Sequence, residues 1–149
     1  MEEIEAEIYL VLQSVCGATL GLEVERPTGD AVHPDLEQAV GAFVEISGET
    51  PTSLLLECSE ALARATASAM FSSDPSDLTD LDLQDAVAEL INIIGGNVRA
   101  LVSSGSQLGI PKPFREHYSQ GGHNKPVHEF TLSCGGMPFR FSATVIGNE

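Results

Sequence analysis

The chain has 149 residues, 42% of them hydrophobic, and a net charge of −15. Its length suits one ordinary domain with its own core, expected to span residues 1–149. The charge argues against a nucleic-acid backbone or an anionic membrane as partner, and no apolar run approaches the roughly 18 residues of a membrane span.

The acidic start, Met1 followed by EEIEAE, is unlike a secretory signal peptide. Cys16, Cys58 and Cys134 are odd in number and scattered, which predicts reduced, buried thiols in a cytoplasmic protein.

In chain order, residues 2–16 predict an amphipathic helix with Ile4, Ile8, Val11, Leu12 and Val15 on one face and Gly17 ending it. Glu2, Glu3 and Glu5 fill its first turn, where the helix dipole favours acids. Leu20, Leu22 and Val24 alternate like a short strand before RPTGD and Pro34 mark a loop. From Gln38 to Ile46 the pattern alternates again, with Val40, Ala42, Val44 and Ile46 on one face. SGETP closes it as a turn, and Ser53 to Cys58 returns as the partner strand. Three consecutive leucines in that strand predict cover on both faces. Ser59 is placed to N-cap a helix over residues 60–72, with Leu62, Ala65, Ala69 and Met70 as a slim apolar face. SSDPSD then breaks the chain.

The best-specified stretch follows, LDLQDAVAELINIIGGNVRALVSS, and predicts one helix over about residues 79–104. At about 100° per residue, Val87, Leu90, Ile91, Ile94, Val98, Leu101 and Val102 share an apolar arc. Asp85, Glu89, Asn92, Gly96 and Arg99 form a narrow stripe opposite. Asp77, Asp80 and Asp82 suit the positive end of the dipole, and Gly105 suits a left-handed cap. Gly95 and Gly96 lie mid-helix, where each costs about 1 kcal/mol relative to alanine. Without a β-carbon, Gly96 would let another backbone approach Glu89 and Asn92 closely.

Beyond Gly105, Pro111 to Tyr118 reads as extended and SQGGHN as a turn. VHEFTLSC and MPFRFSATVI alternate at period two around Gly135-Gly136, a hairpin signature. Left open, those last strands would expose an apolar edge, which predicts a homodimer. The element order gives an α+β fold of two layers: helices, one of them long and central, packed on a mostly antiparallel sheet.

Other groupings carry less chemistry. His117, His123 and His128, near Cys134, match no zinc spacing, and no metal site is expected. The acids from Asp74 to Asp85 lack a calcium-loop pattern and fit a helix start. Ser103 to Ser106 lacks the spacing of a nucleophile or phosphate loop. Lys112, Arg115 and Lys125 form a basic patch that an acidic partner could meet.

ELINIIGGN, with the short strands before it and GIPKPF after it, resembles the CheX members of the CheC/CheX/FliY chemotaxis phosphatases. The specific match covers about residues 85–113. In that family a helix carries an acid-x-x-Asn pair that acts on the aspartyl phosphate of a CheY-like response regulator. The resemblance implies Glu89 and Asn92 as that pair. Asp85, Gly96 and Arg99 share their stripe as partner-binding positions. It also implies a homodimer, no cofactor of the chain's own, and magnesium on the partner receiver. The proline after the motif, Pro111 or Pro113, is closer than in the usual pattern, so a shortened helix-to-strand loop is expected. One copy of the motif matches the single-site CheX type. The alternative is a non-catalytic module of the same fold that binds a receiver or a motor-switch protein.

Overall fold

The computed structural model describes residues 3–26, 36, 39–115 and 125–146. Helix α1 covers Glu3–Leu20, α2 Glu60–Phe71 and α3 Asp80–Val102. Seven strands follow the chain as β1 (Val24–Glu25), β2 (Val40–Ser47), β3 (Thr52–Cys58), β4 (Gln107–Leu108), β5 (Lys112–Arg115), β6 (His128–Cys134) and β7 (Met137–Val145). They form one antiparallel sheet in the order β1-β6-β7-β3-β2-β4, with β5 also pairing β2. The three helices pack on a single face of it. The expected α+β, two-layer architecture is therefore present.

Period-two alternation sets the layers. Val40, Ala42, Val44 and Ile46 of β2, Leu54 and Leu56 of β3, and Phe139, Phe141 and Ala143 of β7 are buried under the helices. Ile8 and Leu12 of α1, Leu62 of α2, and Leu83, Val87, Ile91 and Val98 of α3 meet them in one core. On β3 the expected two-sided cover is incomplete, because Leu54 and Leu56 are buried while Leu55 is half-buried. Turning β6 into β7 needs two left-handed residues, which Gly135 (φ 57°) and Gly136 (φ 83°) supply.

Several expectations are corrected. Helix α1 runs through Gly17 to Leu20, and the terminator is Gly21 (φ 68°), whose N–H bonds the Gly17 carbonyl at 2.9 Å. The expected strand from Leu20 to Val24 shrinks to Val24–Glu25, since Leu20 is helical. The buried face of α2 is Leu62, Ala63, Thr66 and Ala67, whereas Ala69 is exposed. Alanines mark no face, and Thr66 enters the core because its hydroxyl donates to the Leu62 carbonyl at 2.8 Å.

The hairpin is covered in part: β7 is interior, while among the described residues β1 pairs only Ser133 and Cys134 of β6, so His128 to Leu132 have no strand partner on that side. Strand β6 lies between β1 and β7, and β7 lies between β6 and β3. The edge beside β2 belongs to β4 and β5. Leu108 opposes Ile46 and Lys112 opposes Phe43, so four residues of advance on one side answer three on the other. The extra residue in Gly109-Ile110-Pro111 is a β-bulge that interrupts one edge strand. Pro113 falls on that edge too, where its missing N–H costs nothing.

The cysteines, scattered in sequence, are buried thiols that the fold draws together. The Cys16 thiol of α1 donates to Cys134 at the end of β6. That hydrogen bond and burial hold Cys16 far above the ordinary thiol range, and burial first, with the nearby Cys134 and Glu57 adding to it, does the same for Cys58. Beyond Arg26, the loop expected at RPTGD and Pro34 lies outside the described residues, as do the SQGGHN turn, His117 and His123.

Candidate functional site

The site is built on one helix, so the helix's own specification comes first. Thr79 caps α3: its hydroxyl accepts from Asp82 N–H at 3.1 Å, and the Asp82 carboxylate accepts from Thr79 N–H at 2.9 Å. This reciprocal capping box fixes the start. At the far end the cap is Ser103, extended at φ −153°, and Gly105 (φ 60°) sits beyond it as the expected left-handed residue. The Ser103 hydroxyl accepts from Thr50 N–H at 3.0 Å, and the Ser104 carbonyl accepts from Glu49 N–H at 3.1 Å. Both ends of α3 are thus tied down.

A second clamp acts at the N-terminus. Arg115 of β5 reaches Asp80 at 3.1 Å and Glu60 of α2 at 3.0 Å, while Arg64 bonds Glu60 at 2.9 Å. Arg115 is therefore spoken for within the fold, which removes it from the expected basic patch. Lys112 and Lys125 remain exposed. The Glu60 carboxyl is held below the usual carboxylate range by the Arg64 hydrogen bond first and by Arg115 second.

Between those ends the two glycines face opposite ways. A β-carbon on Gly95 would lie 2.9 Å from Leu108 Cδ1 and 3.5 Å from Leu54 Cδ1 and Val44 Cγ1, so Gly95 lets α3 sit close on the sheet. A β-carbon on Gly96 would meet nothing within 4 Å. The apolar arc is buried from Val87 to Val98, with Val87, Ile91 and Val98 at 0% exposure and Ile94 at 2%, while Leu101 and Val102 at the helix end are half-buried.

The predicted stripe is brought together on the outer side of α3. Asp85, Glu89, Gly96 and Arg99 are exposed and Asn92 is half-buried. Glu89 and Asn92 are three residues apart, about 4.5 Å along the axis, so both reach one spot on a partner. Among the described residues, the side chains of Asp85, Glu89 and Asn92 have no hydrogen bond or ion pair, leaving them available. Asn97 differs: its amide donates to the Ile93 carbonyl at 2.8 Å and is occupied by its own helix. Arg99 donates to the Ser106 carbonyl at 2.6 Å and faces no carboxylate. Beside it an open depression of about 400 Å³ is lined by Gly96, Arg99, Ala100 and the Ser103 to Ser106 loop.

One residue escapes a search for polar stripes because it is apolar. Leu81, in the first turn of α3, is 65% exposed and lies at the azimuth of Asn92 and Arg99. Its signal in the sequence is a leucine four residues before Asp85, on the polar side of the helix.

His128 is half-buried and pairs with Glu5 of α1 at 3.1 Å. Among the described residues, no group of three or more His, Cys, Asp or Glu side chains could hold a metal ion. No described helix is long and apolar enough to cross a membrane.

Comparison with known proteins follows from this geometry. The family described as "Chemotaxis phosphatase CheX" matches residues 40–130. Among solved structures, the chemotaxis protein CheX from Vibrio vulnificus is 18% identical with a TM-score of 0.72, covering 96% of each chain. CheX from Desulfovibrio desulfuricans is 21% identical with a TM-score of 0.69, covering 97% of this chain and 100% of that one. The CheX-CheY-BeF3-Mg complex from Borrelia burgdorferi supplies a third, 18% identical with a TM-score of 0.67, covering 96% of this chain and 98% of that one. At these identities the likeness is one of fold. No curated protein matches.

Proposed function

Since the chain belongs to the CheX family of chemotaxis phosphatases, we propose that it accelerates hydrolysis of the aspartyl phosphate on a CheY-like response regulator. The observation that carries this reading is the pair Glu89 and Asn92, accessible and unpaired on the outer stripe of a helix fixed at both ends. The relative from Borrelia burgdorferi was solved with CheY bound, which supports a receiver as the partner class.

The chemistry asks little of the helper protein beyond position. Water attacks phosphorus in line, the bond to the aspartate oxygen breaks, and the products are inorganic phosphate and the free carboxylate. Magnesium and a lysine on the receiver neutralise charge there. The Asn92 amide, donor and acceptor at once, holds the attacking water, and immobilising it in line is the contribution to rate. Glu89 forms a charge-assisted bond to the receiver's lysine and fixes the register of docking. Neither residue is a nucleophile, and no metal is assigned to this chain.

Asp85 extends the acidic contact, Gly96 lets the receiver backbone come close, and Arg99 meets a carboxylate beside the depression at the end of α3. With a net charge of −15 the approach to an acidic receiver pocket is not steered at long range, so docking rests on these local contacts.

The same proposal makes the chain one cytoplasmic domain that works as a homodimer. One edge is the bulged β4–β5 strand, where Ile110 is 81% exposed, and a second copy is the occupant assigned to it. Light scattering should give a dimer, and Ile110→Lys should shift it toward monomer. A monomeric wild type at tens of micromolar overturns this part alone.

The test of function is phosphate release from a phosphorylated receiver. Asn92→Ala should lose about 10²–10³ in rate, the usual cost of one preorganised polar contact to a transition state. Glu89→Ala should weaken binding as well as turnover, because its partner is charged in ground and transition states alike. Full activity in Asn92→Ala overturns the water-holding role. A wild type that binds the phosphorylated receiver without accelerating release makes the chain a binding module.

A further inference from the structure

We infer that Leu81 is a docking anchor, a residue that sets affinity for the receiver and the polarity of docking without taking part in hydrolysis; the inference rests on the function proposed above. A lone exposed leucine needs no explanation on most surfaces. This one lies on line with the site. It is 65% exposed, at the azimuth of Asn92 and Arg99 and about 16 Å from Asn92 along the axis.

Nothing local calls for a leucine there. The cap is made by Thr79 and Asp82, and Asp80 is engaged by Arg115 and by Gln84 at 2.7 Å. The apolar contacts of that turn come from Leu83, which is buried, and Leu78, which packs at the core's margin. Leu81 serves neither cap nor core. The other exposed large apolar side chains among the described residues, such as Leu10 and Ile110, belong to other elements.

With Leu81 included, the stripe reads apolar, acid, acid, amide, gap, cation over about 27 Å, which is close to the width of a small domain. One receiver can therefore touch both ends. The ends differ in chemistry, so only one direction of docking satisfies them. The partner surface must offer an apolar patch at the Leu81 end, a cation near Glu89, and a carboxylate at the Arg99 end. A receiver turned end for end would set Arg99 against the apolar patch and a carboxylate against Leu81, which is how a surface rejects a wrong pose.

The experiment is steady-state dephosphorylation over a range of phosphorylated receiver concentrations, paired with direct binding to a receiver loaded with beryllofluoride. Leu81→Ala should raise KM about tenfold with kcat unchanged, as expected from losing most of one leucine side chain's burial. Leu81→Met should restore KM, and melting temperatures should stay level because the side chain is 65% exposed and lies outside the core. An unchanged KM, or a kcat that falls in step, overturns the anchor while leaving the proposed function standing. If the wild type accelerates no release, the binding arm still decides: tenfold weaker binding by Leu81→Ala upholds the anchor for a non-hydrolysing module. If the wild type does not bind the loaded receiver at all, both the anchor and the proposed function fall.

Discussion

Replacing Gly96 by alanine should make this protein more stable and less active. Gly96 sits deep inside α3, and an added β-carbon there meets nothing within 4 Å. No steric cost then opposes the gain in helix propensity, which is about 1 kcal/mol. For a chain of this length that raises the melting temperature by about 2–4 °C. In function the same methyl stands where the receiver backbone is proposed to pass. Displacing the reacting groups by about 1 Å can cost about 100-fold in rate, so kcat/KM should fall at least tenfold. Gly95→Ala is the internal control. Its methyl would press on Leu108 Cδ1 at 2.9 Å, so crowding cancels much of the propensity gain, and its activity should follow its stability. Urea titrations with an unchanged m value, run beside phosphate release, separate the two readouts. If Gly96→Ala gains no stability, the propensity argument fails. If it is more stable and fully active, close approach at Gly96 is wrong.

Two further outcomes follow from packing and charge. Glu60, held low by Arg64 and Arg115, contributes stability that is complete above its unfolded value of about 4.5 and is lost as pH falls through its lower folded value. Glu60→Gln should therefore cost up to about 1 kcal/mol near pH 7, where this partly exposed pair is ionised. The gap to wild type should narrow steadily as the pH falls below that unfolded value, and denaturation midpoints followed into acid would show it. Gly41→Ala should destabilise by about 1–3 kcal/mol, because its β-carbon would collide with the Phe114 ring laid across it from the neighbouring strand. Gly41→Ala combined with Phe114→Ala should cost less than the two changes summed.

Legibility in the sequence tracked how local the determining physics is. Helix α3 could be read because its 3.6-residue pattern, acidic start and terminal glycine all concern neighbours within one turn. The β6–β7 hairpin was equally plain, since two glycines in succession between alternating strands supply the left-handed turn that other residues rarely adopt. By contrast, Gly17 and Gly21 are equivalent stop signals to the eye, and it is the packing of Leu20 against the core that favours carrying α1 past Gly17. The face of α2 was misplaced because alanine marks no side. Strand order is not legible for a different reason: pairing between Cys58 and Phe139, or Val40 and Arg115, joins residues far apart in the chain. No periodicity encodes that. Strand β4 is two residues long and carries no pattern. The stripe from Asp85 to Arg99 is legible as a whole, whereas Leu81 is not, because an apolar side chain adds nothing to a polar periodicity.

Placing the whole stripe on a single uninterrupted helix has a consequence for how such a protein can change over evolutionary time. Each residue inserted or deleted within α3 rotates everything beyond it by about 100°. Losing one position between Asn92 and Arg99 would turn Arg99 off the face and press polar groups into the sheet. Length variation is therefore confined to the connections outside α3, while substitutions within the stripe stay free to retune the partner. Lineages that share this arrangement should diverge by replacement along the helix and by insertion only beyond its caps, and the stripe should be transferable to another scaffold as one unbroken segment.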